Sequence, residues 1–229
     1  GQVIVNNING QSQYASAAVA HPNGEPPYWY TQFPIRNYRG LELMSGSLQT
    51  NFSNTAPPMN IWRYELQQII SPTSTYLVSA RAGGDYHSAL TPMRDYVTYI
   101  RATSHTDKNG INSALKGGKT TVSQKGGFGI LKINNINLPG DRMVASAGAS
   151  LSFNYSFTPV VSGTYTFWVR DKNGNAVFAS PETKYCLANT PYASSISLNK
   201  TFAGGVDWYY LHIEGPDAIF SSPIIVVAP

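Results

Sequence analysis

The sequence predicts an all-β protein of two β-sandwich domains, and three observations predict it. Short runs rich in Val, Ile, Thr, Tyr and Phe recur between Gly, Pro, Asn and Ser clusters, the pattern of sheets closed by tight turns. Helical periodicity is almost absent. The composition excludes other classes: of 229 residues 42% are apolar and 12% aromatic, with 20 Gly and 15 Pro, unlike a coiled coil, a charged disordered tail or collagen. Only 12% are charged, about half the usual fraction for a soluble domain. No run approaches the roughly 18 apolar residues of a membrane helix, so no membrane span is expected.

In the first half the candidate strands are Val3–Ile8, Tyr14–Val19, Tyr28–Phe33, Leu41–Met44, Tyr76–Ala82 and Tyr96–Ala102. Between Asn60 and Ile70 two readings compete. Trp62, Leu66, Ile69 and Ile70 share one helical face, whereas Trp62, Tyr64 and Leu66 alternate as in a strand. Ser71-Pro72 ends the element in either case. The stretch His105–Gly129 is rich in Gly and Lys with few large apolar residues, so it reads as a long connection. A boundary placed there gives residues 1–125 as a β-sandwich or jelly-roll-like domain and 126–229 as a second sandwich.

The second half is patterned more regularly. In Ser150–Phe157 the residues Leu151, Phe153, Tyr155 and Phe157 alternate with Ser150, Ser152, Asn154 and Ser156, a strand with one buried face. Thr164–Asp171 follows, and Lys172-Asn173-Gly174-Asn175 supplies a hairpin turn before Ala176–Ser180. Leu131–Ile136, Met143–Ser146, Ile196–Phe202, Asp207–Glu214 and Pro223–Ala228 complete the set. In Thr164–Asp171 the set Tyr165, Phe167 and Val169 should face the core, sending Trp168 and Arg170 the other way. In Asp207–Glu214 the core set is Tyr209, Leu211 and Ile213, opposite Trp208, Tyr210 and His212.

The run SLSFNYSFTPVVSGTYTFWVRDKNGNAVF resembles the central strands of immunoglobulin-like or fibronectin-III-like modules of bacterial surface and phage structural proteins, and DWYYLHIEGPDAIFSSPIIVVAP resembles their last two strands. The resemblance covers about residues 130–229. It implies an immunoglobulin-like second domain, although the Cys pair of antibody domains is missing. It also implies a spacer, adhesin, decoration or assembly role. In such a sandwich the third and sixth strands are neighbours, so Trp168, Arg170, Trp208, Tyr210 and His212 would form one exposed aromatic patch. That patch has three readings: a contact surface for a subunit or sugar, a face packed against the first domain, and Trp168 as the core Trp with the two faces reversed.

Candidate chemistry is sparse. His21, His87, His105 and His212 lie far apart, and no Ser is framed as Gly-x-Ser-x-Gly, so no catalytic residue, metal site or cofactor is expected. The single Cys186 excludes a disulfide framework and reads as a small buried hydrophobe. Lys116-Gly117-Gly118-Lys119-Thr120 imitates the end of a phosphate loop, but Ser113 stands where the first Gly must be. From Arg94 to Arg142 eight Lys/Arg face three Asp, a local charge of +5 against +4 for the whole chain. Lys108, Lys116, Lys119 and Lys125 are therefore candidate polyanion contacts, against the plainer reading of a solvated connection. The strip Tyr28-Trp29-Tyr30, led by two prolines, suits sugar stacking or a protein interface as well as a core.

The N-terminus lacks signal-peptide character, consistent with a removed signal or with a Gly exposed by loss of an initiator Met. The apolar ends Val3–Val5 and Ile224–Val227 ask for strand partners in this chain or a neighbour. Together these features predict a non-enzymatic structural or assembly protein, homo-oligomeric or part of a larger assembly. It would be a virion component (capsid, spike or decoration protein) or a surface-filament subunit. The competing class is a secreted or surface-displayed module that binds carbohydrate or a host receptor. Both place the chain in a virion, outside the cell or at its surface.

Overall fold

The computed structural model of the chain describes residues 5–8, 17–20, 38–45, 57–74, 77–83, 96–194 and 198–229. Strands dominate, and the fold is all-β with several sheets and few helices. Tyr28, Trp29 and Tyr30 lie outside the described residues.

The first sheet is small and parallel. Strands β1 (Ala18–Val19), β2 (Gly40–Ser45) and β3 (Ser79–Gly83) pair in that order. Helix α1 (Pro57–Ile69) crosses between β2 and β3, as parallel neighbours require a long return connection. This βαβ unit differs from the sandwich or jelly-roll-like domain expected of residues 1–125, whose neighbouring strands would run antiparallel. Residues 5–8 are helical rather than part of a strand. The helical reading of Asn60–Ile70 is the one realised. Pro57 and Pro58 occupy the first turn, where no helical N–H is missed, and Met59, Trp62 and Leu66 are buried on one face.

The stretch read as a long connection is ordered structure. After β4 (Val97–Ile100), helix α2 (Lys108–Lys116) is capped by Asp107, whose carboxylate accepts from the Asn109 N–H at 3.0 Å. Strand β5 (Thr120–Ser123) follows and is fully buried. Its apolar signal is weak because hydroxyls carry the burial: Thr120 donates to the Ala80 carbonyl at 2.8 Å and lies 2.7 Å from the Ser222 hydroxyl. Satisfied hydroxyls can be buried where unpaired ones would be costly.

Strands β6 (Phe128–Ile133), β7 (Arg142–Val144), β8 (Ser150–Thr158), β9 (Gly163–Asp171) and β10 (Glu182–Cys186) come next. They are followed by β11 (Tyr192–Ala193), β12 (Leu198–Thr201), β13 (Val206–Glu214), β14 (Ile219–Ser221) and β15 (Ile224–Val227). Strands β6, β11 and β12 pair with β8 in a four-stranded sheet. The larger sheet runs β10-β9-β13-β14-β5-β4, with β15 joined to β13 and, in parallel, to β7. The C-terminal strand thus finds its partners within the chain. Residue 125 falls in the turn between β5 and β6, and strands from both sides of it share the larger sheet.

After β9 the turn is the expected one: Asp171 accepts from the N–H groups of Asn173 and Asn175, both at 2.9 Å, and Gly174 takes φ 81°. The segment Ala176–Ser180 makes a single bridge, Arg170 to Ala176, rather than a strand.

Two cores flank the larger sheet. Between it and the β8 sheet lie Phe153, Tyr155, Phe157, Tyr165, Phe167, Val169, Tyr209, Leu211 and Ile213 with their neighbours. On its other face Trp208, Tyr210, Phe220 and Ile225 join Trp62, Leu66, Leu41 and Met44 from α1 and the small sheet.

Candidate interaction surface

The five residues expected to form an exposed patch share the outer face of the larger sheet, but the patch is not exposed. Trp208, Tyr210 and His212 are buried, and Trp168 and Arg170 are half-buried. Helix α1 covers the first two: the Trp62 ring stands edge-on to Trp208 at 6.2 Å and to Tyr210 at 5.4 Å between centroids. Arg63 donates to the Tyr210 hydroxyl at 3.1 Å. Burial pushes the Tyr210 phenol above its ordinary pKa, with the Arg63 charge pulling the other way. His212 stacks on Phe220 at 4.3 Å and lies 3.6 Å from the Glu214 carboxylate. Arg170 sits over the Trp168 ring at 4.2 Å. At Trp208 and Tyr210 this face therefore packs against helix α1.

The four lysines sit along α2, the turn after it and the bend after β5. Lys108 opens α2 and Lys116 closes it, a helical separation of about 12 Å. Lys119 precedes β5, and Lys125 lies in the bend that follows it. Two other cations of the basic stretch serve the fold. Arg101 pairs with Asp141 at 2.5 Å, and Arg142 donates to the carbonyls of Ser71 at 2.8 Å and Ser74 at 3.0 Å, tying the exit of α1 to β7. Buried Asp217 accepts from Ser123 at 2.9 Å and from the Lys125 N–H at 2.8 Å and Gly127 N–H at 2.6 Å, which fixes the loop carrying Lys125. Burial raises its carboxyl above the ordinary range against the pull of these bonds.

Exposed apolar side chains instead gather at one end of the β8–β9 layers, which sequence reasoning missed. The 159–162 turn and the segment after β10 are stitched together there: the Asn189 N–H donates to the Pro159 carbonyl at 2.6 Å, and the Ala188 N–H to the Ser162 hydroxyl at 2.8 Å. Around this stitch Tyr185 is 63% exposed, Leu187 59%, Val160 39% and Val161 38%. They adjoin β10, which ends the larger sheet and pairs among the described residues with β9 alone. Tyr155 and Tyr192 both donate to the Glu182 carboxylate, and Lys184 lies 4.1 Å from the Tyr192 ring centroid, so β10 is braced against the other sheet. A turn with adjacent valines and a Tyr-Cys-Leu run after two charges were the available signals.

Among the described residues no helix is long and apolar enough to cross a membrane, and no three His, Cys, Asp or Glu side chains are grouped to hold a metal. No protein-family model matches the chain, and no curated protein matches it. Solved structures of a beta-glucosidase from Listeria innocua share weak likeness. The glucose complex aligns at 12% identity and TM-score 0.27, over 44% of this chain and 16% of the glucosidase. A second structure of that enzyme gives 12% and 0.28 over 45% and 16%, and its isofagomine complex 13% and 0.26 over 45% and 16%. At such scores the likeness transfers neither fold nor activity.

Proposed function

We propose that the chain is a non-enzymatic structural or assembly protein, a virion component such as a capsid, spike or decoration protein, or a subunit of a surface filament. The observation that carries this reading is the exposed apolar cluster of Val160, Val161, Tyr185 and Leu187 beside the open edge strand β10. Contiguous exposed apolar surface next to unpaired strand N–H and C=O groups is a feature that interaction surfaces use and isolated monomers suppress. The low charge of the chain acts in the same direction, since little repulsion opposes close packing of copies. The C-terminal half serves this role as an immunoglobulin-like module. Support for that comes from the strand order, with β6, β8 and β12 in one sheet facing β9, β10, β13 and β15 in the other.

The competing reading, a surface-displayed module for carbohydrate or a host receptor, draws on the exposed Tyr185 ring and the half-buried Tyr192 at the same end. Light scattering on the purified chain separates the two. An assembly protein gives a mass above 24.9 kDa that rises with concentration; a constant 24.9 kDa at every concentration removes the assembly reading and leaves the binding module.

A further inference from the structure

We propose that a second copy of this chain docks on β10, edge to edge and antiparallel about a two-fold axis through Thr183. The proposal rests on the assembly reading and specifies its interface. The direction of the free hydrogen-bonding groups follows from β9. The Val169 carbonyl accepts from the Val177 N–H at 2.9 Å and the Asp171 N–H donates to the Asn175 carbonyl at 3.0 Å, so the odd-numbered residues of β9 turn their backbone groups toward the β10 side. Glu182, Lys184 and Cys186 stand opposite the odd-numbered Phe167, Tyr165 and Gly163, and Thr183 and Tyr185 opposite the even-numbered Thr166 and Thr164. Pairs alternate between bonded and non-bonded along an antiparallel ladder. Thr183 and Tyr185 therefore direct their N–H and C=O groups to the open edge.

Charge selects the register. An axis through Lys184 would set the two Lys184 side chains directly opposite each other, which is destabilising. An axis through Thr183 instead opposes Glu182 of each copy to Lys184 of the other, two opposite-charge pairs in the closely spaced non-hydrogen-bonded positions. In that register Thr183 exchanges two hydrogen bonds with its counterpart, and each Tyr185 N–H meets the carbonyl of Pro181, while the Tyr185 carbonyl, to which Pro181 offers no N–H, is left to water at the rim of the ladder. The edge is self-complementary, as an interface between two identical surfaces demands. Within its own copy Glu182 also accepts from the Tyr155 and Tyr192 hydroxyls.

The test uses the full chain and four preparations. With wild type, light scattering should give a mass approaching twice 24.9 kDa. Lys184→Glu, which opposes carboxylates across the axis, should weaken association at least tenfold, whereas Lys184→Gln, which also loses the contact to the Tyr192 ring but opposes no like charges, should lower the melting temperature of the dilute protein without that loss of association. Thr183→Cys should form a disulfide between copies on mild oxidation, because bonded partners in a ladder stand about 5.5 Å apart at Cα, within disulfide range. The native Cys186 is buried, so wild type should not cross-link. If wild type associates but Lys184→Glu associates equally and Thr183→Cys fails to cross-link, this interface is wrong and the assembly reading stands. A wild type that remains monomeric overturns both.

Discussion

Strand β13 and strand β10 belong to one sheet and behave oppositely. In β13 both faces are buried, with Tyr209, Leu211 and Ile213 in one core and Trp208, Tyr210 and His212 in the other. In β10 only Cys186 is buried, and Thr183, Lys184 and Tyr185 face solvent. The centre of the sheet holds the chain together, whereas its edge, which among the described residues pairs on one side only, carries exposed side chains. Substitutions at the centre should therefore change stability, and those at the edge should change mass.

The largest effect should come from Trp62→Ala. This residue packs on Trp208 and Tyr210, and its indole N–H donates to the Val78 carbonyl at 2.8 Å. A loss of about 3–5 kcal/mol is expected in urea unfolding, with the far-UV signal of the β8 sheet lost in the same transition if the two cores unfold together. A separate, later transition would show that the β8 sheet and β13 stand without α1. Asp217→Asn should cost about 2 kcal/mol, because one amide oxygen cannot serve Ser123 and both loop N–H groups, and its NH2 would face donors. An unchanged midpoint would remove Asp217 from the account of the β5–β6 turn. Tyr210→Phe should cost about 1 kcal/mol through loss of the Arg63 hydrogen bond. At the edge, Tyr185→Ser and Leu187→Ser should move the unfolding free energy by less than about 0.5 kcal/mol. Both should lower the mass measured at high concentration. Destabilisation comparable to that of Tyr210→Phe would place these side chains in the fold rather than in an interface.

The long strands were legible in the sequence because one-face burial imprints a period of two. Ser150–Phe157, Thr164–Asp171 and Asp207–Glu214 each match the observed strand to within one residue at either end. What lay over the other face was not legible. Alternation reports which side a residue faces, and the cover for Tyr210 comes from Arg63 and Trp62, with 147 residues separating Arg63 from its partner. Strand β5 escaped detection because Thr120, Thr121 and Ser123 are buried through hydroxyl bonds, which hydropathy does not record. Strand β10 escaped because an exposed edge carries no apolar period: Glu182-Thr183-Lys184 reads as loop. The helix after Asp107 was hidden by Gly110 and Asn112, poor helix formers that a cap and the burial of Ala114 outweigh. The basic residues were legible as a stretch, but the helix and strand among them, α2 and β5, were not.

Hydrogen exchange resolved by residue, followed as a function of protein concentration, tests the central contrast most directly. The N–H groups of Thr183 and Tyr185 should exchange rapidly at low concentration and become protected as concentration rises, while those of Tyr210 and Leu211 stay slow throughout. Rapid exchange of Thr183 and Tyr185 at concentrations where the mass has already risen would contradict the account, because the copies would then be meeting somewhere other than the open edge of the sheet.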